Sequence, residues 1–195
     1  MRSNECMQVF VIGLLEKELP DWYRYHTIPH TMYVMDKVVE IAISEQCTPG
    51  EVGLAWVAAL WHDTGHIYKY PGHEGKSCEL AKFYLPGYGY DESEIDAICG
   101  MIMATRTPQS PTNKLEGILA DADLEYLGTD EAEEKSGQLF EELKYLDPSL
   151  TPSEFMRLQI GFLKDHHFFT AYCVKNKQPA KAAYLARLIE ENGDE

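Results

Sequence analysis

The densest chemistry in this sequence lies in the run Trp61-His62-Asp63-Thr64-Gly65-His66. An imidazole and a carboxylate on neighbouring residues diverge by about 100° within a helix, but at a helix end both can reach one ion. Zinc and the other borderline divalent metals accept that nitrogen and oxygen pair. Alone, the pair is also what a core histidine and a turn-forming aspartate look like. Two further clusters shift the balance. His26 and His30 stand four apart in Tyr25-His26-Thr27-Ile28-Pro29-His30, at the start of an amphipathic stretch. Asp121 and Asp123 sit in the apolar segment Leu119-Ala120-Asp121-Ala122-Asp123-Leu124. A carboxylate there is costly unless it meets a cation or a donor. The two aspartates are about 200° apart on a helix, so one points inward at a given centre while the other caps, pairs or faces solvent.

Such residues need a scaffold that gathers distant segments, and apolar spacing predicts helices nearly throughout, with little β-type alternation. Val9, Ile12, Leu15 and Leu19 mark an opening helix closed by Pro20. A second helix is expected from Pro29 or His30 to Ser44, burying Val34, Val38, Ile41 and Ala42, with Pro29 suited to its first turn. Thr48-Pro49-Gly50-Glu51 reads as the capped start of a third. That helix runs to about Asp63, is apolar on nearly every face, and should therefore be central. Gly65 is expected to end it, with turn and loop from His66 to His73. Further helices are expected over residues 74–84, 91–104, 115–127, 131–143, 153–169 and 179–190. His166 and His167, beside Phe168 and Phe169, read as packing residues rather than a second metal site. The fold class is all-α, a single compact multi-helix domain over residues 1–195, with 23–127 carrying the motifs and 128–195 supplying C-terminal packing helices.

Composition agrees with one domain: 195 residues bury enough surface to form a core without disulfides or a structural metal. A bound ion would then serve chemistry. Lys plus Arg number 17 against 32 Asp plus Glu, a net charge of −15, which disfavours duplex nucleic acid and anionic membranes. A phosphate-bearing ligand would need a local cation. The five cysteines (Cys6, Cys47, Cys78, Cys99, Cys173) are scattered and form no CxxC pair, so the reducing cytoplasm is the expected location. The stretch Gln8 to Leu19 is amphipathic rather than signal-like, and the longest apolar run, Leu54 to Trp61, is too short to span a bilayer.

His, then His-Asp, then a later Asp, all on helices, resembles the HD superfamily of metal-dependent phosphohydrolases. The resemblance extends from about Tyr23 to Leu127, and the three clusters in order make it specific. It implies an all-helical HD core holding one divalent ion through His30, His62, Asp63 and Asp123. Mn, Fe, Co, Ni, Zn and Mg are all candidates. Ala120-Asp121-Ala122-Asp123-Leu124 looks most like the Asp-x-Asp form of the last motif, whose second aspartate is the ligand. His73 resembles a histidine that two-metal members carry after the HD pair. Met103-Ala104-Thr105-Arg106 stands where their later histidine pair is expected, which favours one ion over two. The glycine-rich His-His-Glu signature of cyclic dinucleotide phosphodiesterases is missing, and Gly65-His66 replaces the usual Gly-Lys.

Cleavage of a phosphoester or phosphoanhydride suits these groups, since a divalent ion acidifies water and offsets phosphoryl charge. The expected partner is a small phosphorylated molecule, with nucleotides among the candidates. His26, one turn before His30, is expected to protonate a leaving oxygen or hold the substrate; Asp63 and His66 complete the catalytic set. Lys69, His73, Glu74 and Arg106 are the candidate substrate contacts, Arg106 as a phosphate clamp and Glu74 as a group that positions water. Trp22, Tyr23 and Tyr25 offer rings against which a base could stack. The alternative is a metal-binding regulatory or ligand-binding protein on the same fold, without robust turnover.

Overall fold

The helix-start signals are realised as written. Thr48 accepts a hydrogen bond from the Glu51 N–H while the Glu51 carboxylate accepts one from the Thr48 N–H, and the pairs Asp91/Glu94 and Thr151/Glu154 repeat the arrangement. The computed structural model describes residues 4–192. Its helices are α1 (Asn4–Glu18), α2 (Ile28–Ser44), α3 (Pro49–Trp61), α4 (His73–Tyr84), α5 (Glu92–Ala104), α6 (Lys114–Leu124), α7 (Ala132–Leu146), α8 (Pro152–Asp165), α9 (Ala171–Asn176) and α10 (Gln178–Asn192). Short 3-10 turns follow α3, α4 and α6. Among the described residues there is no strand, and no helix is long and apolar enough to cross a membrane.

The bundle is built around α3, which packs against α2, α5 and α6. Ala55, Ala58 and Ala59 allow close approach of its neighbours, and Leu60 and Trp61 fill the centre, fully buried. Truncating a buried tryptophan of this kind costs about 3–5 kcal/mol. Val34, Val38, Ile41 and Ala42 of α2 are all buried, as the spacing predicts. The turn at Glu45–Thr48 folds α3 back along α2. The start of α2 and the end of α3 therefore meet at one end of the bundle, where the last turn of α6 joins them.

Several boundaries differ from the sequence reading. In α1 the buried seam is Met7, Val11 and Leu15, and Val9 is exposed. Met7 is drawn inward by Trp61, whose indole N–H donates to its sulfur at 3.5 Å. Gly65 does not stop α3, which ends at Trp61, and lies instead inside the 3-10 turn Thr64–Ile67. The helix expected to reach Phe169 ends at Asp165: His166 turns extended, and its carbonyl accepts a hydrogen bond from the buried Lys181 of α10. The residues so released lead to Thr170, the N-cap of α9, a helix the spacing does not reveal.

Candidate metal centre

His30 sits in the first turn of α2, started by Pro29. His62 keeps helical backbone (φ −57°, ψ −40°), but Asp63 has left it (φ −99°, ψ 0°). That departure lets two neighbours face one point, which a continuing helix would prevent. The turn is fixed from α4, where Ser77 Oγ accepts from the Gly65 N–H at 2.8 Å and donates to the His62 carbonyl at 2.5 Å. Only glycine fits at position 65, because a Cβ there would stand 2.0 Å from the His73 carbonyl oxygen.

Asp123 arrives from the last turn of α6. His30 Nε2 lies 3.0 Å from Asp123 Oδ1 and 3.5 Å from Asp63 Oδ2. His62 Nε2 lies 3.2 Å from Asp63 Oδ2 and 3.6 Å from Asp123 Oδ1. Burial opposes charge on His62, yet Asp63 and Asp123 outweigh it and hold its pKa well above the ordinary value. Burial likewise pushes Asp63 and Asp123 up, but the neighbouring imidazoles pull both below the usual carboxylate range. Two carboxylates against two imidazoles in a buried cluster demand positive charge, which protons or a divalent cation can supply.

The donor set fits a cation. His62 Nδ1 bonds to the Ala59 carbonyl at 2.7 Å, which leaves Nε2 facing the cluster. His62 Nε2 and Asp63 Oδ2 are buried and have no hydrogen-bond partner. Donors bound to one ion at about 2.1 Å stand about 3.0–3.5 Å apart, close to the separations found here.

A second group of donors shares Asp63: one nitrogen each from His26 and His66 and one Asp63 oxygen lie within 4.8 Å of one another. The sequence anticipates a single donor set. Tyr23 Oη donates to the His66 carbonyl and lies 3.1 Å from its Nδ1. Nδ1 therefore carries the ring proton, and Nε2, buried and unpartnered, faces Asp63 Oδ1 at 3.9 Å. Burial, then the charge of His26, pushes the His66 pKa well below its ordinary value. His73 stacks on His66 with ring centres 3.7 Å apart and sets Nε2 3.4 Å from Asp63 Oδ1. Its pKa is raised, because Asp63 overrides the effect of burial. Glu74 is buried beside it, with Oε1 4.0 Å from His73 Nε2.

Thus His26, His30, His62, Asp63, His66, His73, Glu74 and Asp123 gather at one end of the bundle. Lys69 is exposed, its ammonium lying on the Gly72 side of the loop. Arg106 is placed elsewhere: it lines an open groove with Thr112 and Glu116 at the N-terminal end of α6, whereas Asp123 is at the C-terminal end. Asp121 points away from the cluster. It accepts from the Phe169 N–H at 2.9 Å, the Thr170 N–H at 2.8 Å and the Thr170 hydroxyl at 2.6 Å, holding the start of α9. Sequence reasoning missed Ser77 and Glu142. Ser77 lies one helical turn after His73, a spacing that puts both on the face toward Gly65. Glu142 gives no local signal, being one acid of several in α7.

The HD domain family model matches residues 27–125, just over half of the chain, and spans all three clusters. The chain belongs to the HD domain family. No curated protein matches it. Two crystal structures share the HD fold. One is a predicted HD superfamily hydrolase from an uncultured Thermotogales bacterium, 22% identical, with a TM-score of 0.60 over 99% of this chain and 100% of that one. The other is Bacillus subtilis YpgQ, solved in complex with ADP, 16% identical, with a TM-score of 0.64 over 96% and 93% of the two chains.

Proposed function

We propose that this HD protein hydrolyses a phosphoester or phosphoanhydride bond in a small phosphorylated molecule, with a nucleotide the favoured class. The observation that carries the proposal is the convergence of buried donor atoms: His62 Nε2 and Asp63 Oδ2, neither in a well-formed hydrogen bond, stand 3.2 Å apart and against His30 and Asp123. His30, His62, Asp63 and Asp123 would hold a divalent ion. When bound, such an ion acidifies water and offsets charge developing on phosphoryl oxygens.

The chain's own groups divide the remaining work. Asp63 Oδ1 and His66 Nε2 accept hydrogen bonds from the attacking water. His73, with Nε2 3.4 Å from Asp63 Oδ1 and its pKa raised by that carboxylate, faces the site as a hydrogen-bonding group for the phosphate. His26 donates a proton to the leaving oxygen, its ring oriented by Glu142 through Nδ1. Trp22 and Tyr145 stack with ring centres 4.8 Å apart and Tyr70 lies 5.7 Å from His26, an aromatic border suited to a base. The complex of YpgQ with ADP favours the same substrate class.

A panel of nucleoside mono-, di- and triphosphates, including deoxynucleotides, and of simple phosphoesters tests this. Each is offered to metal-stripped protein repleted with Mn, Fe, Co, Ni, Zn or Mg. Metal-dependent release of phosphate or pyrophosphate is expected for a nucleotide. Lack of turnover across the panel with every ion, in protein that has taken up metal, contradicts it.

A further inference from the structure

Two of the cysteines that the sequence scatters meet on the seam between α4 and α5, both as free thiols. Cys78 Sγ lies 3.5 Å from the Cys99 carbonyl oxygen, Cys99 Sγ lies 3.8 Å from the Cys78 carbonyl oxygen, and the two thiols hydrogen-bond to each other. Neither residue is sealed: Cys78 is 8% exposed and Cys99 7%, whereas Cys173 is fully buried. An open groove of about 340 Å³, lined in part by Lys82, Ile95 and Asp96, brings solvent to the same seam one helical turn from either cysteine. The Lys82–Asp96 ion pair, at 3.4 Å, bridges the two helices there. The hydrogen bond from Cys78 outweighs burial and, with the Lys82 ammonium, holds the Cys99 thiol below its ordinary value. The same bond, together with burial, pushes the Cys78 thiol up. One sulfur is thus set to attack and its neighbour to resolve.

We propose that Cys78 and Cys99 form a peroxide-sensitive dithiol that closes to a reversible disulfide between α4 and α5. The Cys99 thiolate attacks one oxygen of hydrogen peroxide, the O–O bond breaks, the second oxygen takes a proton and leaves as water, and Cys99 becomes a sulfenic acid. The Cys78 sulfur then attacks the Cys99 sulfur, the S–O bond breaks, and the Cys78 proton leaves with the hydroxyl as a second water. The two thiols together give up two electrons, which the peroxide takes, and a thiol reductant restores them by exchange. Thiols already in hydrogen-bond contact have only a short closure to make, to an S–S length of about 2.05 Å. A transient disulfide of this kind is compatible with a reducing compartment. The pair shares no residue with the metal centre, and the proposal stands independently of the hydrolase reading.

The folded full chain is treated with hydrogen peroxide in the presence of a chelator, the remaining thiols are alkylated in denaturant, and the tryptic peptides are weighed. Trypsin cuts after Lys76, Lys82 and Arg106, so the two cysteines fall on separate peptides, 77–82 and 83–106. These are expected to be joined, lighter by two hydrogens than their sum, and to separate again after dithiothreitol, while Cys173 stays a free thiol. In Cys78→Ser the sulfenic acid has no resolving neighbour, and dimedone should capture it at Cys99. Both peptides still alkylated and unjoined after the exposed Cys6 has reacted would overturn the proposal. Oxidation of Cys173 in step with the pair would show unfolding rather than a built site and overturn it too. The mapping uses the unmodified protein, so it decides the matter even if the variant folds poorly; a folded Cys78→Ser with no dimedone adduct at Cys99 would overturn the order of attack.

Discussion

Glu142 and His26, 116 residues apart in sequence, form one unit beside the metal centre. One Glu142 oxygen accepts the backbone N–H groups of Arg24, Tyr25 and His26, at 3.0, 2.9 and 3.1 Å, while the other pairs with His26 Nδ1. Burial raises the Glu142 pKa, but the His26 hydrogen bond and charge prevail and leave it below the usual range. The same carboxylate thus fixes the loop before α2 and the direction in which His26 presents its ring.

This unit separates proton transfer from metal binding. His26→Ala should retain metal and fold while losing about 10²–10⁴-fold in turnover. Glu142→Gln keeps an oxygen for the three N–H groups but removes the charge, and should lose about 10–100-fold. Turnover and metal content are measured together on each purified variant. Wild-type turnover in His26→Ala would remove His26 from the reaction.

The two aspartates of α6 should part company. Asp123→Asn is expected to abolish most bound metal, because Asp123 Oδ1 lies 3.0 Å from His30 Nε2 within the cluster. Asp121→Asn should keep the metal and lower the melting temperature, since Asp121 is fully buried and serves α9. Losing a charged acceptor for several donors costs about 1.5–3 kcal/mol. Metal loss in Asp121→Asn with retention in Asp123→Asn would reverse the assignment.

The HD turn should be brittle. Gly65→Ala places a Cβ against the α4 backbone and should destabilise by about 1–3 kcal/mol or more. Ser77→Ala leaves the Gly65 N–H and the His62 carbonyl without their shared partner and should cost about 1–3 kcal/mol. Urea unfolding of both variants provides the measurement; wild-type midpoints would show that the turn holds itself.

What the sequence revealed was local. The cap at Thr48 and the apolar seam of α2 follow from nearest-neighbour geometry, and the ligand clusters, each ambiguous alone, become specific when the three are taken in order. The alternation of Asp121 and Asp123 even separated their directions, because a helix turns about 100° per residue. What escaped depends on tertiary contacts. Glu142 reads as one more acid until α7 is laid against the loop before α2. Arg106 reads as a phosphate clamp until the length of α6 separates it from Asp123. The end of α8 is set by Lys181, which lies in another helix.

His166 gives a pH signature independent of the metal. In the unfolded chain a histidine titrates near 6.5, and in the folded protein His166 is pushed down to about 3, mainly by burial. Between those values the unfolded state binds the extra proton. Stability is therefore complete above about pH 6.5 and falls as pH drops, by up to about 1.4 kcal/mol per unit. Urea unfolding from about pH 8 to about pH 5 should give a shallower slope for His166→Gln than for wild type. Identical slopes would place His166 in water.

Phosphate release measured against bound metal, as stripped protein is repleted with increasing divalent ion, tests the central claim most directly. The account predicts no turnover in the stripped protein and a rise in step with the first equivalent bound, with His62→Ala neither taking up that equivalent nor turning over. Turnover that is undiminished in the stripped protein, or His62→Ala binding metal as wild type does, would contradict it.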